Sequence, residues 1–215
     1  LGLPELRIEW LPVEASNRLD YVTDGKVDAV CGTTTITLSR MKKVDFSLPI
    51  YVDGGSVLVR AKSKFARLAG LKDKRIAVIS GTTTEEDLVS GLNALGATAV
   101  LVPVANSAEG MAMLTKGTVD AYAADRVVLA YLKLRAPDPK AYRFVTGDFS
   151  LQPFGLPVRR DDPDFRLAVN RALAGLYRTG DIDDIFQRWL GALGIPGPLL
   201  HSMFFVGLWS NLAVF

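Results

Sequence analysis

The sequence predicts an α/β fold, on three observations. From Ser80 onward, short apolar runs alternate with helical patterns of about ten residues. The apolar runs end in loops rich in glycine, serine and threonine. The composition, 49% apolar and 22% charged, is that of an ordinary globular chain long enough to bury a sizeable core. Strands joined through helices pair in parallel by right-handed crossovers, so a sheet with helices on its faces is expected.

The elements follow in chain order. Arg7 to Leu11 alternates polar and apolar residues. Ser16 can cap a helix running to about Asp24, with Gly25 where it should stop. "VDAVC" (27–31) reads as a strand, as do "GSVLVR" (55–60) and the buried run "RIAVI" (75–79). The polar stretch between the last two allows at most a helical turn. Then come a Gly-Thr turn, a helix from about Glu85 to Leu95, strand "TAVLVPV", a helix from Ser107 to Lys116, strand "DAYAA" and a helix from Arg126 to Leu134. "FGLPV" (154–158) is a further strand, and helices Pro163–Tyr177 and Asp181–Leu190 meet at Thr179-Gly180. Two lobes are expected: residues 1–50 with 155–215, and residues 55–152, joined by crossings near 50–54 and 152–155.

Charge and residue counts exclude several functions. Twenty-five Lys and Arg against 23 Asp and Glu, scattered singly, give no field for nucleic acid or an anionic membrane. One cysteine, Cys31, permits no internal disulfide, and one histidine, His201, leaves no zinc cluster. No cofactor motif is present. "LGLPELRIEW" lacks the pattern of a signal peptide, so the expectation is that none is included in this chain. Segment 199–215, "LLHSMFFVGLWSNLAVF", is strongly apolar but interrupted by polar residues and short for a membrane span, which suits a packed or interface segment.

Three loops at expected strand ends carry the chemistry. "GTTTITLSR", Gly32 to Arg40, supplies amides and hydroxyls that can donate to a carboxylate, and Arg40, five residues after Thr35, can return to clamp it. The alternative is a polar loop whose threonines suit strands and turns. "SGTTT", Ser80 to Thr84, opens a helix whose unpaired amides form an anion site; the alternative is N-capping by Thr83 or Thr84, with Glu85, Glu86 and Asp87 matching the helix dipole. Asp125, at the end of "DAYAA", can take an ammonium group from a strand end or cap the helix after it. Two anion sites and one carboxylate describe a receptor for an α-amino acid. Enzyme readings lack their parts, since there is no nucleophile elbow, no histidine near "ISGTT" and no phosphate-loop spacing in "GTTTITLSR".

"DGKVDAVCGTTTITLSRMKKVDFSLPIYVDGGSVLV", "LKDKRIAVISGTTTEEDL", "KGTVDAYAADRVVLAYL" and "FGLPVRRDDPDFRLAVNRALAGLYRTGDIDDIFQRWLG" together resemble the solute-binding proteins of polar amino-acid ABC transporters, the family 3 type II periplasmic binding proteins. "SNRL" (16–19) and "CGTTT" lean toward the glutamate/aspartate-binding branch. The resemblance implies a two-lobed type II periplasmic-binding-protein fold, an amino acid held in the interlobe cleft, an ABC permease as partner and a periplasmic location. It places the ligand α-carboxylate on Arg40 with Thr35, the α-ammonium on the Thr33 carbonyl and Asp125, and the Ser80, Thr82 and Thr83 loop against the carboxylate or side chain. Family members begin with a strand and helix that this sequence lacks, so an N-terminally truncated first lobe is expected. The histidine that the glutamate/aspartate branch has near Asn106 or Ser107 is also absent. The apolar tail would then cover the vacant surface within one chain or in a homodimer. Rival readings are the ligand-sensing domain of a membrane receptor, a cyclohexadienyl-dehydratase-like enzyme, and a homologue that binds nothing.

Overall fold

The computed structural model describes residues 5–191. Segment 199–215, with its expected packing or dimer role, lies outside the described residues. The chain forms two compact units: one takes residues up to Leu11, Leu19–Val52 and Pro153 onward, the other Pro12–Arg18 and Asp53–Gln152. Among the described residues no helix is long and apolar enough to cross a membrane.

The first unit holds helix α1 (Arg18–Thr23), whose first residue belongs to the other unit, and strand β1 (Asp45–Phe46). Strand β2 (Tyr51–Asp53) carries the chain across to the second unit, and a strand near residue 153 brings it back. The second unit contains β3 (Gly55–Arg60), β4 (Arg75–Ile79), α2 (Thr83–Ala94), β5 (Val100–Val104), α3 (Ser107–Lys116), β6 (Ala121–Asp125), α4 (Arg126–Arg135) and β7 (Tyr142–Phe144). The return strand is β8 (Gln152–Phe154), which pairs with β2. Strand β9 (Pro157–Val158) and helices α5 (Pro163–Thr179) and α6 (Asp181–Leu190) complete the first unit.

The second unit is built on a five-stranded sheet in the order β5-β4-β6-β3-β7. β5, β4 and β6 run parallel, as the helical crossovers between them require. β3 is antiparallel to β6 and β7, so the sheet is mixed rather than wholly parallel. The reason lies in the connection that follows β3: residues 61–74 hold only a 3-10 turn (Leu68–Leu71) and no helical crossover, so the chain enters β4 in the opposite sense. Alternation along the strands buries both faces. Val57, Val59, Ile76 and Val78 pack with Leu88 and Leu92 of α2, while Leu58, Ala77 and Tyr122 pack with Leu114 of α3 and Leu129 of α4. Each such fully buried aliphatic side chain contributes about 1.5–3 kcal/mol relative to exposure. Gly110 on α3 lets that helix approach the sheet, since a Cβ there would lie 2.5 Å from the Tyr122 ring.

The first unit is thinner. Val22, Val30, Val44, Phe46, Phe154, Val158, Leu173 and Tyr177 are buried in it. β1 pairs antiparallel with β9. "VDAVC" makes no strand; it gives one bridge, Ala29 to Val158, and one amide bond, Val30 N–H to the Pro157 carbonyl. Pro157 has no N–H to return, which stops the ladder there. Tyr177 on α5 donates to the Pro49 carbonyl at 3.1 Å, and burial pushes its hydroxyl up to about 12. Helix α6 buries none of its residues, and Ile185 and Trp189 on it are exposed.

Candidate functional site

In the first unit the hydroxyl-rich loop is tied into the backbone by its middle residues. Gly155 N–H donates to the Thr34 carbonyl and Ile36 N–H to the Pro153 carbonyl, with Thr35 bridged to Phe154. Thr33 is half-buried; Thr34 and Thr35 are buried. Alternation turns Thr34 inward, where its Oγ1 has no hydrogen-bond partner among the described residues, and leaves Thr33 and Thr35 on the other side of the strand-like stretch. Arg40 begins a single 3-10 turn, Arg40–Lys42. Its Nη1 donates to the Thr35 carbonyl at 2.9 Å, and its own N–H donates to Thr37 Oγ1 at 3.2 Å. The structure therefore brings Thr35 and Arg40 together, with one guanidinium N–H spent on the Thr35 carbonyl.

In the second unit the parallel pairing of β4 with β6 sets their carboxyl ends side by side, and these ends carry the Ser80 loop and Asp125. The loop turns at Gly81, whose φ of +72° is the left-handed conformation that glycine adopts without strain. The cap of α2 is Thr82, not Thr83 or Thr84 as the sequence suggests: Glu85 N–H donates to Thr82 Oγ1 at 3.3 Å, and Gly81 N–H donates to Glu85 Oε2 at 2.8 Å. This pair is a variant of the capping box in which Glu85 reaches the amide before the cap rather than the cap's own, so the chain's own Glu85 takes one of the amides expected to bind an anion. Thr82 Oγ1 also donates to the Ile79 carbonyl at 2.7 Å. Thr83 Oγ1 donates to Gln152 Oε1 at 3.0 Å. Ser80 is exposed at the start of the loop.

Asp125 stands at the N-cap position of α4 but makes no side-chain cap. Thr84 Oγ1 donates instead to Asp125 Oδ1 at 3.1 Å, linking the Ser80 loop to Asp125. The start of α4 is served from β2: Val127 N–H donates to Asp53 Oδ2 at 2.8 Å and Arg126 N–H to the Gly54 carbonyl at 2.9 Å. The register explains this, because Gly55 lies opposite Asp125 in the β3–β6 ladder. Asp53 is 5% exposed. Burial, with the Asp125 and Asp148 carboxylates adding to it, pushes its carboxyl up to about 6 despite the Val127 and Gly54 amides that favour the charged form. Asp148 itself pairs with Arg126 at 2.8 Å.

Gln152 ties down the first turns of α2 through side chains, without capping its amides. Its amide is buried, accepts from Thr83, and donates to Asp87 Oδ2 at 2.7 Å and to Ser150 Oγ at 3.2 Å. Sequence reasoning passes over Asp53, Thr84 and Gln152 as site components. Only the adjacency of Asp53 to the Gly54-Gly55 pair at an expected crossing could have drawn attention to it. Among the described residues no group of His, Cys, Asp or Glu could hold a metal ion.

Comparison with known proteins gives this arrangement its place. The family of bacterial extracellular solute-binding proteins, family 3, matches residues 1–192. The chain belongs to that family. Among its relatives is the glutamate/aspartate import solute-binding protein of Escherichia coli (strain K12), 28% identical over 190 residues, or 88% of this chain and 63% of that protein. The chain thus spans less than two thirds of that relative's length. Among solved structures, an ancestral arginine-binding protein bound to glutamine superposes with a TM-score of 0.77 at 30% identity, covering 86% of this chain and 81% of the other. An ancestral amino-acid-binding protein described as a precursor of cyclohexadienyl dehydratase gives 0.73 at 29% identity, over 86% of this chain and 77% of its own. The fold of this family 3 chain is accordingly that of the type II periplasmic binding proteins.

Proposed function

We propose that this chain binds a free amino acid, acidic or polar, and presents it to an ABC permease in the periplasm. The two compact units act as its two lobes. Arg40 takes the α-carboxylate, with the Thr35 segment beside it; the Thr33 carbonyl and Asp125 take the α-ammonium; Ser80, Thr82 and Thr83 contribute from the start of α2. Support comes from the relatives' names, which describe import or binding of amino acids. The observation that carries most weight is the carboxylate of Asp125, which is relieved of helix capping by Asp53 and held by Thr84 at the end of a strand. A ligand site in an α/β sheet is expected beyond the carboxyl ends of its strands.

The reading is of a binding protein rather than an enzyme; the solved relative linked to a dehydratase is itself described as amino-acid-binding. A thermal-shift screen over L-glutamate, L-aspartate, L-glutamine and L-arginine tests the proposal. A ligand at one thousand times its Kd stabilises a protein by about 4 kcal/mol, so at least one should raise the melting temperature by several degrees. No shift with any of the common amino acids refutes it.

A further inference from the structure

The start of α4 has two carboxylates within reach of its amides. One belongs to Asp125, the residue immediately before the helix and the natural candidate for its cap. The other belongs to Asp53, from a strand far away in the sequence, and it is Asp53 that accepts the Val127 N–H at 2.8 Å. The neighbouring amide, Arg126 N–H, goes to the Gly54 carbonyl at 2.9 Å. The consequence is a division of labour between two aspartates. A helix N-terminus attracts a carboxylate through its unpaired amides and its dipole, and without Asp53 the side chain of Asp125 would be the nearest group to satisfy them.

We propose that Asp53 is a positioning residue for ligand binding: by occupying the N-terminus of α4 it turns the Asp125 carboxylate away from the helix and toward Thr84, where it can take the ligand's ammonium group. The inference rests on the amino-acid-binding reading given above. The charged groups facing Asp53 are Asp125 at the end of β6 and Asp148, whose carboxylate is paired with Arg126 of α4. Three carboxylates with one guanidinium make this a negative locality, which suits a cation and repels an anion. An ammonium bound at Asp125 therefore favours the ionised form of Asp53, and ligand binding near pH 5.5 releases protons from it.

Two substitutions separate this role from a purely structural one. Asp53→Asn keeps a carbonyl acceptor for Val127 N–H and removes the charge; Asp53→Ala removes both. Calorimetric titration with L-glutamate and L-glutamine at pH 7.5 should show affinity weakened about tenfold or more in Asp53→Ala, the loss expected from one broken buried hydrogen bond. Asp53→Asn should restore affinity to within about threefold of wild type. At pH 5.5, titrations in buffers of different ionisation enthalpy should report proton release on binding by wild type and none by Asp53→Asn. If wild type binds and Asp53→Ala binds equally well, or if Asp53→Asn releases the same protons, the role given to Asp53 is wrong while the binding function stands. If wild type binds no amino acid, the functional reading falls and the inference with it. Should Asp53→Ala fail to fold, the proton-release comparison with Asp53→Asn decides alone.

Discussion

Replacing Asp53 by asparagine should change how stability depends on pH, by an amount the structure sets. The Asp53 carboxyl is pushed from an ordinary 3.8 up to about 6, chiefly by burial. In the unfolded chain it titrates near 3.8, so between these values the folded state holds a proton that the unfolded state has lost. The stabilising contribution is fully present below the unfolded value and is lost as pH rises through about 6. Two pKa units at 1.36 kcal/mol each amount to about 3 kcal/mol, applied here without discount for solvent because the side chain is almost fully enclosed. The Asp53→Asn variant cannot titrate, yet it keeps an acceptor for Val127 N–H. Urea unfolding of both proteins at pH 4 and pH 7 measures the difference. Because the unfolded carboxyl is already partly ionised at pH 4, the variant should gain on wild type by roughly 2 to 2.5 kcal/mol between those pH values. A gap that stays constant to within about 0.5 kcal/mol would show that Asp53 is either well solvated or paired with a compensating cation, and the burial argument for its raised carboxyl would fail.

Three further outcomes follow from the packing. Gly110→Ala places a Cβ against the Tyr122 ring, with the nearest ring carbon at 2.5 Å, and should cost about 1–3 kcal/mol in denaturant unfolding. Gln152→Ala leaves the Thr83 hydroxyl and Asp87 carboxylate without the amide that joins them and should destabilise by about 2 kcal/mol, again by denaturant unfolding. Glu85→Ala opens the capping box at Gly81 and should cost about 1 kcal/mol, visible as a lowered melting temperature.

Much of this architecture is legible in the chain because its signals are local. The α3 boundaries follow from Asn106, which caps the helix through its side chain, and from Gly117, whose φ of +77° ends it. The loops at Ser80 and Asp125 are legible because short apolar strands stop abruptly in polar residues. What the chain conceals is set by long-range pairing. Whether 27–31 forms a strand depends on Pro157, well over a hundred residues away, and its missing N–H. Which carboxylate caps α4 depends on the β3–β6 register, and nothing near Asp125 in sequence announces Asp53. The cap of α2 falls on Thr82 rather than its neighbours because Glu85 three positions on completes a reciprocal pair, a spacing that the run of three threonines disguises.

The central proposal is that Arg40 holds the carboxylate of a free amino acid and Asp125 its ammonium. Calorimetric competition among L-glutamate, glutaric acid, which lacks the α-amino group, and 4-aminobutyrate, which lacks the α-carboxylate, tests it directly in wild type, Arg40→Ala and Asp125→Asn. Loss of a charged partner costs about 2–5 kcal/mol, so wild type should bind L-glutamate at least thirtyfold better than either analogue. Arg40→Ala should erase the preference over 4-aminobutyrate, and Asp125→Asn the preference over glutaric acid. Both variants keeping the wild-type preferences would contradict the account.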